Sequence, residues 1–121
     1  MKAFFDFHKY WGYVAIGANA IAGVIALIAW RMRKARGRWV WIVTIVAESM
    51  MMLQVLVGVI LVVSKDYAAP RFHMFYGFLA FITVGIAYQY RTQMRGRAEM
   101  LYGLVGLFLM GLGIRAVMQV S

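Results

Sequence analysis

The sequence predicts an all-α integral membrane protein, a single up-down-up-down bundle of four transmembrane helices. The chain has 121 residues, of which 64% are hydrophobic and only 14% are charged, far from the composition of soluble domains. Four apolar segments each approach the roughly 20 residues needed to cross a bilayer about 30 Å thick. The 13 Lys and Arg residues fall in short clusters between these segments, a pattern that favours lipid headgroups over nucleic acid.

We place the four helices at about 10–30, 39–63, 72–90 and 100–120, within one membrane domain spanning 1–121. The segments lack the alternation of apolar and polar residues that membrane strands show. Asp6, His8 and Lys9 directly precede the first apolar run, and no small-residue cleavage site follows it. This pattern argues against a signal peptide, so the first run is expected to be a transmembrane helix.

The basic residues distinguish the two ends of the predicted bundle. Most of them lie in the loops 31–38 and 91–99, namely Arg31, Arg33, Lys34, Arg36, Arg38, Arg91, Arg95 and Arg97. The opposite end carries Lys2, Lys9, Lys65 and Arg71, balanced in part by Asp6 and Asp66. Short basic loops remain in the cytoplasm. We therefore expect cytoplasmic loops 31–38 and 91–99, both termini on the outer side, and the inner membrane of a bacterium as the location.

The two halves of the chain share a short motif. The string from His8 to Tyr13 and the string from His73 to Phe78 both follow the pattern H-x-aromatic-aromatic-G-aromatic. An Arg-Gly-Arg tripeptide also precedes the second and fourth predicted helices. These matches favour a tandem repeat of two helical hairpins with the same direction, related by an axis along the membrane normal.

The repeat places the two histidines of the chain at equal depth on the first and third helices, which are diagonal in such a bundle. Two inward-facing imidazoles at this spacing suit axial ligation of one haem b by His8 and His73. Gly12 and Gly77, one turn deeper on the same faces, would let a flat ring approach the backbone. Arg71 and Arg115 would then pair with the haem propionates.

Structural interpretations of the same residues remain open. Histidine and aromatic residues are common interface anchors, glycines allow close helix packing, and Arg115 is long enough to reach the headgroups. Thioether sulfur binds copper, which makes a copper site at Met50, Met51 and Met52 one interpretation. Consecutive helical residues point in different directions, however, so packing is the favoured role. The absence of cysteine excludes disulfides and thiolate metal sites.

A second set of polar residues lies in the middle of the predicted membrane region. Glu48 is an acid well inside an apolar segment, and Asn19, Thr83 and Met110 are predicted at a similar depth. A carboxylate there is costly, so Glu48 should face the interior with Asn19 as its partner. Its role is a proton relay, a cation site, recognition of a headgroup or quinone, or a hydrogen bond between helices. Small four-helix drug exporters also use a membrane carboxylate, but theirs lies in the first helix.

Glycines in the first and last helices, including Gly103 and Gly106, favour close approach of another helix, either in a partner subunit or in a second copy. No catalytic triad, phosphate loop or metalloprotease motif is present in the sequence, so we expect no enzyme activity. The chain is expected to be a membrane protein that binds a cofactor, a lipid or other subunits, with no nucleic acid.

The H-x-x-x-G string of the first and third helices resembles small four-helix b-type cytochrome-like membrane proteins and accessory subunits of respiratory complexes. The first resemblance implies His8 and His73 as axial haem ligands and electron transfer near the outer face. The second implies a packing subunit of a respiratory assembly. A small transporter coupled to protons or cations through Glu48 is the alternative.

Overall fold

The computed structural model describes residues 2–64, 68–94 and 96–120; Lys65, Asp66 and Arg95 lie outside this range. The described residues contain no strand. Four helices follow in order: α1 (Lys2–Arg31), α2 (Arg38–Val63), α3 (Arg71–Tyr90) and α4 (Ala98–Met118), with a short 3-10 turn at Arg33–Ala35 before α2. All four are long and apolar enough to span a membrane. The predicted four-helix membrane bundle is confirmed.

Helix α1 begins at Lys2, eight residues before the predicted start. The predicted start of α1 was based on hydropathy, which falls over the polar residues Asp6, His8 and Lys9. However, the stretch before Tyr10 contains neither proline nor glycine, and its residues are compatible with a helix. His8 therefore lies inside α1 instead of preceding it. The other three helices begin and end within two residues of their predicted limits.

The four helices form a closed ring in which α1 packs most extensively on α4 and next on α2, while α3 packs mainly on α4. Among the described residues, α1 and α3 make no close backbone contact. They are therefore diagonal, as the up-down-up-down arrangement predicts. The core near one end consists of Ala15, Met51, Ala80, Leu109 and Leu112, and a second cluster toward the other end contains Ala26, Ala29 and Val40.

Glycines bring α1 and α4 together. A Cβ atom added at Gly106 would come within 2.8 Å of the Asn19 carbonyl oxygen, and one added at Gly103 would come within 3.0 Å of the Gly23 carbonyl oxygen. Such distances leave no room for a side chain, so these backbones are in direct contact. Gly103 and Gly106 thus serve packing between α1 and α4 of the same chain. Docking of a partner subunit through glycine-rich helix faces stays a prediction.

Arginine and aromatic side chains order the end of the bundle that holds the basic segments. Arg36 folds back on the end of α1, where Nε donates to the Ala29 carbonyl at 3.0 Å and Nη2 donates to the Trp30 carbonyl at 2.7 Å. These carbonyls belong to the last turn of α1, where carbonyl oxygens have no backbone N–H donor within the helix. The same guanidinium lies 3.9 Å from the Glu99 carboxylate on α4. Arg36 therefore connects the ends of α1 and α4.

Candidate functional site: a pair of facing imidazoles

His8 and His73 meet at the end of the bundle opposite the basic segments. His8 comes from α1 and His73 from the first turn of α3, and both are half-buried. Their ring centroids are 6.1 Å apart and their planes are inclined by 79°. The diagonal helices thus bring the two predicted ligands close together across the bundle, with their ring planes nearly perpendicular.

The orientation of the His73 ring is set by a backbone carbonyl of α4. His73 Nδ1 lies 2.8 Å from the Ala116 carbonyl oxygen. A carbonyl can only accept, so Nδ1 carries the proton and donates it. The lone pair of a neutral His73 is therefore on Nε2, the other ring nitrogen. A donor bond from Nδ1 to a carbonyl is the usual support of a metal-binding histidine.

His8 is held differently, against a residue without a side chain on α2. A Cβ atom at Gly58 would lie only 2.9 Å from His8 Cε1, so glycine leaves the room that the imidazole occupies. Within the part of the chain that the structure describes, His8 Nδ1 is buried and has no hydrogen-bond partner. A buried polar nitrogen without a partner costs free energy and calls for an explanation. Gly58 was missed in the sequence, where its only signal is a lone glycine inside an apolar run.

Gln54 fixes the backbone at His8. Its side-chain Nε2 donates a 2.6 Å hydrogen bond to the His8 carbonyl oxygen. A Cβ atom at Gly12 would lie 2.9 Å from that same Nε2, so Gly12 is buried against the Gln54 amide. Trp11 adds a second link between α1 and α2, since its Nε1 donates to the Met50 carbonyl at 2.9 Å. Together these bonds hold the register of α1 against α2 at the imidazole pair.

The other residues predicted for the haem site lie near the same end of the bundle. Gly77, one turn beyond His73 on α3, borders open space, since no other helix has a described atom within 4 Å of where a Cβ would be. Arg71 is the first residue of α3 and Arg115 lies in the last turn of α4; both are exposed. Neither is in an ion pair in the part of the chain that the structure describes.

The separation of the two rings can be compared with the spacing of two imidazoles that bind one metal ion from opposite sides. Bonds from imidazole nitrogen to a metal are about 2.0–2.1 Å long, so two imidazoles on opposite sides of one ion have ring centres roughly 6 Å apart. The observed separation is 6.1 Å. Residues 2–64, 68–94 and 96–120 hold no group of three or more His, Cys, Asp or Glu side chains able to bind a metal ion. A structural zinc ion needs four ligands, whereas haem iron takes only two from the protein.

A buried polar cluster occupies the middle of the bundle, between α1 and α2. Asn19 and Glu48 are only 1% and 5% exposed, and Thr44, which was not among the predicted site residues, is 3% exposed. Asn19 Nδ2 donates to the Ala15 carbonyl at 2.9 Å and to the Ala47 carbonyl at 3.0 Å. The amide of Asn19 therefore lies next to the backbone that carries Glu48.

Thr83, predicted at the same depth, has a local partner instead. Its hydroxyl donates to the Leu79 carbonyl of its own helix at 2.7 Å. It lines an open groove between α3 and α4 with Ile86, Tyr90, Leu101 and Val105 among others. Thr44 takes the place in the cluster that depth alone had suggested for Thr83.

Comparison with known proteins gives no matching family model, no matching curated protein and no matching solved structure. The imidazole pair and the buried polar cluster are therefore the two features of the molecule from which its function has to be derived.

Proposed function

We propose that this protein is a small, non-catalytic membrane subunit of an energy-transducing, respiratory-type assembly, and that it binds one haem b through His8 and His73. The observation that carries the proposal is the 6.1 Å separation of two imidazoles on diagonal helices. Bound haem b would supply one-electron redox chemistry at its iron, tuned by the axial ligands and their hydrogen bonds.

The residues around the pair have complementary parts in this proposal. His73 presents Nε2 because its Nδ1 donates to Ala116. His8 is kept in register by Gln54 and given room by Gly58. Arg71 and Arg115 would bind the propionate carboxylates through charge-assisted hydrogen bonds, which are about twice as strong as neutral ones.

The position of the pair suits exchange of electrons with a partner at one membrane surface. His8 is in the second turn of α1 and His73 in the first turn of α3, so both lie close to one end of the bundle. A haem at that surface could exchange electrons with a neighbouring protein. This would be the role of a non-catalytic subunit that acts with other proteins.

An absorption spectrum tests the proposal directly. Purified protein, mixed with hemin if it is isolated without pigment, should show the Soret and α bands of six-coordinate haem on reduction. His8→Ala and His73→Ala should each abolish the six-coordinate spectrum. Phe72→Ala is the matched control, because Phe72 adjoins His73 but its side chain is 61% exposed. A folded protein that remains colourless with hemin added would contradict haem binding.

Transport coupled to protons or cations is a second candidate, favoured by the burial of the Glu48 carboxyl in the middle of a membrane helix. Ionisable groups at that depth commonly mark ion pathways. Proteoliposomes with an imposed pH gradient would show proton-coupled flux that is lost in Glu48→Gln. Flux that is equal in Glu48→Gln and in the unaltered protein would eliminate this candidate.

A further inference from the structure

An open groove runs along the outer surface of the last turns of α1. Val24, Leu27, Ile28, Arg31 and Met32 line it, and its volume is about 300 Å³. Spacings of three and four residues place these side chains on one face of the helix. Val24, Ile28 and Met32 are all exposed, so the groove faces the lipid that surrounds a membrane helix.

The floor of the groove is set by the contact between α1 and α4. Leu27 turns toward α4, where a Cβ atom at Gly103 would come within 2.5 Å of the Leu27 Cγ atom. Leu27 thus fills the room that Gly103 leaves, next to the backbone contact of Gly23 with the same glycine. The groove is therefore formed by the packing of the two helices.

One end of the groove carries a positive charge. Arg31 is in the last turn of α1, and the 3-10 turn at Arg33–Ala35 follows closely. Val24 lies seven residues before Arg31, which corresponds to about 10 Å along the helix axis. The groove thus begins at the basic end of the bundle, where the basic segments 31–38 and 91–99 lie, and continues about 10 Å into the apolar part of the helix.

The cations at this end of the groove have no anionic partner in the described chain. Arg31, Arg33 and Lys34 are exposed and belong to no ion pair there. Glu99 is the one acid in the sequence of the two basic segments, and it lies 3.9 Å from Arg36. Clusters of Lys and Arg beside a membrane helix attract anionic lipid headgroups. The charge at the end of the groove therefore suits a negatively charged group.

Two other arginines at the basic end are engaged within the protein. Arg36 donates to the last carbonyls of α1. Arg91 donates to the Tyr88 carbonyl and lies 3.7 Å from the centre of the Tyr88 ring. Arg31 differs from both, because it lines the groove. A cation in the last turn of a helix also interacts with the helix dipole, but that interaction does not select a lipid.

A second groove at the same end provides an internal comparison. It lies between α3 and α4, contains Thr83 and Tyr90, and has a volume of about 350 Å³. The side chains that line it are uncharged. Both grooves have room for part of an acyl chain. Of the two, the groove on α1 alone combines that room with a cation at the headgroup level.

We propose that the groove on α1 binds one acyl chain of an anionic phospholipid, with the phosphate of the headgroup at Arg31 and with Arg33 and Lys34 close by. A guanidinium group matches phosphate oxygens with two parallel charge-assisted hydrogen bonds. A zwitterionic phospholipid with the same chains carries a cationic group that these side chains repel, so it binds less tightly. The site lies at the end of the bundle opposite the imidazole pair and does not depend on haem being bound.

Native mass spectrometry of the full chain in mild detergent tests the charge preference. Dioleoyl phosphatidylglycerol should bind about tenfold more tightly than dioleoyl phosphatidylcholine, which has the same chains and no net charge. Arg31→Gln should reduce this preference to about twofold or less, and Arg31→Lys should retain most of it. Retention in Arg31→Lys would show that the loss in Arg31→Gln comes from the charge and not from misfolding.

Arg38→Gln is the matched control for Arg31→Gln. Arg38 is exposed at the same end of the bundle and lines neither groove, so this variant should retain the full preference for phosphatidylglycerol. Equal affinity of the unaltered protein for the two lipids would overturn the proposal. An equal loss of preference in Arg31→Gln and Arg38→Gln would overturn it too, because the preference would then arise from the total charge of that end.

Photocrosslinking in the same detergent tests where the chain lies. Phosphatidylglycerol with a diazirine in its acyl chain should label segment 24–32, as mapped by mass spectrometry of peptides. Unlabelled phosphatidylglycerol should displace this label, whereas phosphatidylcholine and inorganic phosphate should not. Label in the groove at Thr83 and Tyr90 should be displaced equally by the two lipids. Equal displacement from segment 24–32 would mean that Arg31 serves only the end of α1, and displacement by inorganic phosphate would mean that no lipid is recognised; either result would overturn the proposal.

Discussion

Gly106 on α4 lies so close to Gly23 on α1 that a methyl group added at Gly106 would come within 2.9 Å of the Gly23 Cα atom. It would also come within 2.8 Å of the Asn19 carbonyl oxygen. Both obstructing atoms belong to the backbone, so no rotation of a side chain can relieve the clash. The pairing of α1 with α4 thus depends on two residues having no side chain.

We expect Gly106→Ala to lower the free energy of unfolding by about 1–3 kcal/mol, the usual cost of overpacking a tight contact. Unfolding in mild detergent, followed by circular dichroism, measures the change. Gly111→Ala on the same helix is the control, because no other helix has a described atom within 4 Å of its Cβ position. It should be neutral or more stable by up to about 1 kcal/mol. Equal stability of the two variants would contradict the glycine contact.

Trp11→Phe should remove the hydrogen bond from the indole nitrogen to the Met50 carbonyl while preserving most of the apolar contact. The expected loss is about 0.5–1.5 kcal/mol in the free energy of unfolding. Trp39→Phe is a suitable comparison, since the Trp39 indole donates to the Ala35 carbonyl in an exposed position. A larger effect at Trp39 than at Trp11 would show that the link between α1 and α2 is weaker than the geometry indicates.

Gln54→Leu should loosen His8 by removing the donor to its carbonyl oxygen. If haem binds as proposed, hemin affinity should fall by roughly 10- to 100-fold, as it does when groups supporting metal ligands are lost. Hemin titration followed at the Soret band measures the affinity. Gln89→Leu is the control because Gln89 is exposed on α3. Unchanged affinity in Gln54→Leu would mean that His8 keeps its position without this bond.

Arg36→Ala should destabilise the basic end of the bundle. It deletes two charge-assisted bonds to the last carbonyls of α1, with an expected cost of about 1–3 kcal/mol. Glu99→Gln should cost no more than about 1 kcal/mol, because its ion pair with Arg36 is partly exposed. Lys34→Ala, at an exposed neighbouring cation, is the control. Detergent unfolding would rank the three variants, and an equal effect of Arg36→Ala and Lys34→Ala would refute the helix-end role.

The four helices were predictable because hydrophobic length alone nearly determines which segments cross a membrane. The start of α1 was not, because hydropathy penalises Asp6 and Lys9 even though nothing there interrupts a helix. The diagonal placement of His8 and His73 followed from their positions on two parallel helices. Their 6.1 Å separation did not, since it depends on how the helices are rotated and on the space left by Gly58.

Rotation about the helix axis also explains the difference between Thr83 and Thr44. Depth is simple to count along a sequence, and Thr83 had the right depth to reach Glu48. Its hydroxyl instead turns to its own helix at Leu79, whereas Thr44 lies within the buried cluster. Thr44 shares a face with Glu48 at four-residue spacing, and that spacing was the signal available in the sequence.

The four helices pack unevenly around the two polar regions. Asn19, Thr44 and Glu48 lie where α1 and α2 meet, and α4 packs on α1 there through Gly106. Helix α3, by contrast, buries only Ala80 and Ala87 fully and packs mainly on α4. We therefore expect a tilt of α3 to cost less packing than a tilt of α1, so that the gap between His73 and His8 can adapt to an occupant.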